Sequence, residues 1–140
     1  MNYKNKIKSE GDYKEWIYES KNGIELKCII RRNKRLHNLC GYVEITNDNK
    51  LFGIDYMDLE VPLSVHGGVS WSGAEGNSWV FGFDCAHYLD LTFTENFEPR
   101  GNGNYRDIDW VTIECESLAE QLSKFSISAE RNKKIDDCLD

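Results

Sequence analysis

The chain lacks most of the signals that would name a chemistry. No apolar run approaches the roughly 18 residues a membrane-spanning helix needs, so no span is expected. None of the five cysteines (Cys28, Cys40, Cys85, Cys115 and Cys138) forms a CxxC pair. Their odd number and wide spacing argue against a disulfide framework and a zinc ribbon, so free and mostly buried thiols are expected. HExxH, a calcium loop and the phosphate-binding GxxxxGK are all missing. Gly101 and Gly103 sit in a GNGN segment without the flanking strand and helix of a dinucleotide fingerprint. Positive charge is also short. The 17 basic residues face 24 acidic ones, for a net charge of -7. That balance argues against a protein that wraps a phosphate backbone, so nucleic acid is not an expected partner. The opening MNYKNKIKSEGDYKEW has no apolar core of a signal peptide, which predicts a cytoplasmic protein.

What is present is aromatic. Trp16, Trp71, Trp79 and Trp110 accompany seven tyrosines and six phenylalanines, while prolines number only two. Such a core suits a sheet-rich fold, and a length of 140 residues suits one domain. Trp16 and Tyr18, then Ile24, Leu26, Cys28 and Ile30, alternate with polar neighbours around Asn22-Gly23. Both turn residues tolerate positive φ, which predicts a β-hairpin from about Lys14 to Arg31. A third strand is expected over Cys40 to Thr46. Positions 51–65 read as a loop or short helix leading to a strand near Leu63 and Val65. A second hairpin should carry Val69 and Trp71 before a glycine-rich SGAEGN loop and Trp79, Phe81 and Phe83 after it. Val111, Cys115, Leu118, Ala119, Leu122 and Phe125 recur at spacings of three and four behind Asp107 or Asp109, which predicts a capped amphipathic helix.

These elements compose an α+β domain, an antiparallel sheet of about five strands packed against a C-terminal helix. Residues 1–12 read as a flexible segment, 13–126 as the domain and 127–140 as a polar tail. Lys27, Arg31, Arg32, Lys34 and Arg35 form a local basic run beside His37. It reads as a solvated strand end and loop, with an acidic partner as the alternative.

The densest polar chemistry lies in FGFDCAHYLD. Asp84 is placed to cap a short helix through CAHYLD. On such a helix Asp84 and His87 share a face, and His66 can join them from its loop. His66, Asp84, His87 and Asp90 are therefore candidate ligands for a divalent metal such as zinc. Cys85, at a helix N-terminus, is a candidate nucleophile with His66 as base. Gly67 and Gly68 offer either an amide nest for an anion or a tight turn. Arg106 is placed to bridge Asp84 or Asp90, or to bind an anionic ligand.

Four segments, CGYV from Cys40, HGG from His66, WVFGFDCAHYLD from Trp79 and YRDIDWVTIE from Tyr105, resemble a group of small uncharacterised proteins encoded by bacteriophages and prophages. The resemblance spans roughly Cys40 to Leu122. Here Tyr88 and Leu89 stand where that group has small residues, which predicts a pocket closed beside Asp90. The resemblance implies an accessory protein of the infected bacterial cytoplasm, of a kind that counters host defence or redirects host metabolism. Three readings follow: a binding protein that holds a host protein or sequesters a small molecule, a small metal- or cysteine-dependent hydrolase, and a polar cluster that is purely structural. In the structural reading Asp84 caps, His87 bonds Asp107 and Arg106 pairs with Asp90.

Overall fold

The computed structural model describes residues 2–128. Helix α1 (Tyr3–Glu10) precedes strands β1 (Tyr13–Glu19), β2 (Glu25–Arg32), β3 (Leu39–Ile45), β4 (Trp71–Glu75) and β5 (Ser78–Asp84). These five form one antiparallel sheet in the order β1-β2-β3-β5-β4. A two-stranded ribbon, β6 (Thr92–Phe93) with β7 (Pro99–Arg100), and helix α2 (Ile108–Ser123) complete the fold. The expected α+β architecture is therefore the observed one.

Alternation decides which face of the sheet is dry. Leu26, Cys28 and Ile30 of β2, Leu39, Val43 and Ile45 of β3, and Phe81 and Phe83 of β5 point to one side and are buried. Against them lies the predicted stripe of α2: Val111, Cys115, Leu118, Ala119 and Leu122. Asp107 caps the helix by accepting from the Trp110 amide at 2.9 Å. Its far end is closed by the turn after β3, where Asn49 Nδ2 donates to Leu122 O at 2.9 Å and the Lys50 amide to Phe125 O at 2.9 Å. The orphan carbonyls of a helix terminus are satisfied this way. Edge strand β1 is held to the helix by side chains. Lys14 donates to Thr112 (2.9 Å), Trp16 Nε1 to Glu116 (3.1 Å) and Tyr18 Oη to Glu120 (3.5 Å).

Four local expectations are corrected. Residues 1–12 contain an ordered helix: Asn2 caps α1, and Ile7 is buried with Leu91 and Phe93 in a second small core that Tyr3, Phe97 and Tyr105 flank. Leu63 and Val65 alternate in burial as a strand would, yet no strand forms there. The segment pairs instead with α2 side chains, the Ser64 amide donating to Gln121 Oε1 and Gln121 Nε2 to Ser64 O, both at 2.7 Å. SGAEGN is mostly strand, with only Gly76 and Asn77 left for the hairpin turn. Lastly, the basic run is not one solvated stretch. Arg32 points into the protein with a 3 % exposed side chain. It donates to Gly11 O, Asp12 Oδ1, His37 O and Tyr105 Oη, and faces Glu10. The polar tail expected over 127–140 lies, past Ser128, outside the described residues.

Gly41 marks where α2 comes closest to the sheet. A Cβ there would meet the Phe83 ring at 2.5 Å and Cys115 Sγ at 2.6 Å. Gly41→Ala should therefore destabilise the domain by about 1–3 kcal/mol, as overpacking does. Urea denaturation checks this, and an unchanged midpoint would mean that the helix stands further off.

Candidate functional site

The turn that follows β5 is built around one carboxylate. Asp90 has a fully buried side chain and takes hydrogen bonds from three segments. His66 Nε2 lies 2.8 Å from both carboxylate oxygens, Arg106 Nε donates to Oδ1 at 2.9 Å, and the His87 amide donates to Oδ2 at 3.0 Å. With the carboxylate ionised, His66 Nε2 is the donor of its pair. Trp110, in the first turn of α2, is the floor for both side-chain partners. The His66 ring meets it edge-on at 4.9 Å, and the Arg106 guanidinium lies over it at 4.6 Å. Trp110 was not among the predicted residues; its place one turn into the helix after Arg106 is the only sequence signal for it.

The glycines serve this packing. Gly67 and Gly68 both have positive φ, +69° and +84°, and the Gly68 amide closes a turn onto Val65 O at 2.8 Å. The His66 amide is taken by Glu114 Oε1 at 2.9 Å. HGG is thus the tight turn, with two of its three amides already engaged. Gly67 also lets His87 approach: a Cβ there would fall 2.0 Å from His87 Nε2.

The structure brings His66, Gly67, Asp84, His87, Asp90 and Arg106 together, but not in the chemistry expected. CAHYLD is a turn without a helix, because Asp90 folds back on the His87 amide and its own amide bonds His87 O at 2.9 Å. Asp84 accepts from the Ala86 amide and from Ser70 Oγ. His87 faces Asp84 Oδ1 at 3.3 Å, and not Asp107, which caps α2. The four candidate metal ligands do not converge. Among the described residues no group of three or more His, Cys, Asp or Glu side chains is arranged to hold an ion. Asp90, the best placed of them, already has His66 and Arg106 on its oxygens. Cys85 is 1 % exposed, and burial first, then the charges of Asp90 and Asp84, push its thiol far above the ordinary range. With no helix N-terminus beneath it, nothing activates it as a nucleophile. Tyr88 and Leu89 close no pocket either, being 96 % and 63 % exposed at the tip of the turn.

Two cavities lie at opposite ends of β2. The smaller, about 380 Å³, lies at the start of β2, and its Lys27 is paired with Glu15 and Glu44. The larger cavity, about 590 Å³, opens between α1, the start of β1 and the loop after β2. It is lined by Lys8, Arg31, Arg32 and Lys34 with a single carboxylate, Asp12, and by Ile7, Tyr13, His37 and Phe97 among its apolar and aromatic walls. Its volume falls within the roughly 300–1,000 Å³ of small-molecule sites. The signal for it was the run RRNKRLH, of which Arg31, Arg32, Lys34 and His37 line the cavity beside α1. Among the described residues no helix is long and apolar enough to cross a membrane.

Burial alone would push the Asp90 carboxyl up, but hydrogen bonds from Arg106, His66 and the His87 amide outweigh it and hold the group below the usual carboxylate range. Its stabilising effect is therefore complete above the unfolded-chain value of about 3.9 and is lost as pH falls through the lower folded value. Asp90→Asn should cost about 3–5 kcal/mol at neutral pH, since it leaves the Arg106 guanidinium without its counter-charge and removes an acceptor from His66 Nε2. Thermal melts from pH 7 to pH 2 should show the gap to wild type narrowing below about pH 4. A gap that is constant across that range would mean Asp90 is not the acid-sensitive group.

No family model, no curated protein and no solved structure matches this chain.

Proposed function

We propose that this is an accessory protein of the phage type that acts by holding a small anionic molecule in the bacterial cytoplasm, without chemical turnover. One observation carries the reading: in a chain of net charge -7, four cations and one carboxylate line the 590 Å³ cavity beside α1. Lys8 and Lys34 make no ion pair or side-chain hydrogen bond among the described residues. Two uncompensated ammonium groups at the mouth of a concave, partly aromatic site favour a negatively charged ligand.

The hydrolase reading has less behind it. Its thiol is buried and its carboxylate is already engaged by two side chains, so neither is poised for a substrate. The Asp90 cluster reads best as a lock that ties the loop before β4 and the turn after β5 to the start of α2. The resemblance of the CGYV, HGG, WVFGFDCAHYLD and YRDIDWVTIE segments to phage-encoded proteins supports the accessory role. Removing a small host signal from solution is one way such a protein counters defence.

Native mass spectrometry of the protein purified from bacterial cytosol, without chelator, tests the reading. The expected mass is that of the chain plus a small-molecule adduct, absent from the Lys8→Glu/Lys34→Glu variant. A bare-chain mass, a stoichiometric metal or a co-purifying host protein in place of the adduct would overturn it.

A further inference from the structure

Among the described residues only two non-glycine residues have positive φ, His37 at 60° and Phe97 at 65°. For a bulky residue such as phenylalanine this region is a true outlier, and each such residue costs on the order of 1–3 kcal/mol. Both are held there by their turns. The His37 amide donates to Asn33 O (2.9 Å) while the Asn33 amide donates to Asn38 O (2.7 Å), and Asn33 Oδ1 accepts from the Arg35 and Leu36 amides. The Phe97 amide donates to Thr94 O (2.9 Å), and the Thr94 amide to Glu98 O (2.8 Å). At both positions glycine or asparagine would serve the backbone better. The sequence instead places two flat rings, and the rings stack at 4.1 Å between centroids and 16° between planes. The two loops are also joined by the Phe93 amide on Leu36 O at 2.9 Å and by His37 Nε2, 3.4 Å from Glu95 O, so joining them does not by itself require the stack.

Both rings line the cavity beside α1, with Ile7 and Tyr13 as further wall. The cations around them divide in two. Arg32 is fully engaged with Gly11, Asp12, His37 and Tyr105, and Arg31 pairs with Glu75 at 3.3 Å. Lys8 and Lys34 remain, and both are exposed. Lysine is a compact point charge, the form of cation that suits a phosphate without demanding bidentate geometry. An aromatic pair held at a conformational cost, next to two unengaged ammonium groups, matches a ligand that carries a flat ring and a phosphate together.

We propose that the cavity binds an aromatic phosphate monoester of the mononucleotide type, its ring on the His37–Phe97 stack and its phosphate on Lys8 and Lys34. The assignment rests on the anion-holding reading above and narrows it to one ligand class. Stacking of a base on an aromatic side chain strengthens binding through its π-face whatever the base, so the site should tolerate base identity and require the ring.

Isothermal titration with adenosine 5′-monophosphate and with ribose 5-phosphate separates the two ideas, since these probes share the phosphate and differ in the ring. The nucleotide should bind about tenfold tighter or more, on the scale of one stacked base. His37→Asn, which keeps a residue that accepts positive φ and removes the ring face, should bring that ratio close to one and leave ribose 5-phosphate unchanged. Phe97→Asn should do the same, with circular dichroism confirming that each variant is folded. Lys8→Gln/Lys34→Gln should weaken both probes. Equal affinity of the wild type for both probes would overturn the ring assignment and leave the anion reading standing. A nucleotide preference that survives both asparagine variants would overturn it as well. Binding of neither probe would overturn the ligand class, and the anion reading itself would then fall only if the native mass also shows no small-molecule adduct.

Discussion

The Asp90 carboxylate is the constraint on which one half of the molecule depends. An ionised carboxyl with no solvent exposure is tolerable only if donors surround it, and here they come from three places in the chain. His66 fixes the path of the long connection before β4, the His87 amide fixes the turn after β5, and Arg106 fixes the approach to α2. None of these segments has regular secondary structure to hold it. Their relative positions follow from the need to satisfy one charge, and Trp110 supplies the surface on which His66 and Arg106 rest.

Arg32 does the converse at the other side of α2. A buried guanidinium gathers the C-terminal end of α1, the loop after β2 and Tyr105. Glu10 then links this region to the main helix, with Oε2 accepting from the Ile108 amide at 2.8 Å. A carboxylate at that end also complements the positive end of the helix dipole. The two buried charges therefore hold the same helix start, from residues 105 to 108, through opposite signs. This arrangement also explains why α1 belongs to the domain although its sequence is polar on most faces: Ile7 and the Glu10–Arg32 contact anchor it.

What could be read in the sequence was what depends on near neighbours in the chain. The first hairpin was legible, although it turns over residues 20–24 with only Gly23 of the expected pair at positive φ, and the spacing of Val111 through Leu122 set α2 and its buried stripe. Asp107 was legible as a cap because capping reaches only three residues ahead. The failures come from bonds that compete with the predicted element, the first of them local and the others tertiary. Asp84 and the residues after it have helix-start chemistry, but Asp90 captures the His87 amide from three residues downstream and the turn cannot propagate as a helix. Leu63 and Val65 have strand alternation, but Gln121 offers both a donor and an acceptor where a neighbouring strand would have been. Within RRNKRLH, alternation along β2 turns Arg32 inward and leaves Arg31 outside, and only the packing of α1 makes a cavity of the remainder.

The three side-chain bonds between β1 and α2 place two rulers side by side. A strand advances about 6.6–6.8 Å for every second residue, and a helix about 6.0 Å for every fourth. The two are nearly commensurate, so partners spaced by two on the strand meet partners spaced by four on the helix. The three bonds measure 2.9, 3.1 and 3.5 Å, with side chains of different reach taking up the small surplus. The next rung would join Ser20 to Lys124. Ser20 instead turns its hydroxyl to Asn22 and to the Ile24 amide, and the strand ends there. The length of the first hairpin arm is thus matched to the distance over which strand and helix stay in step.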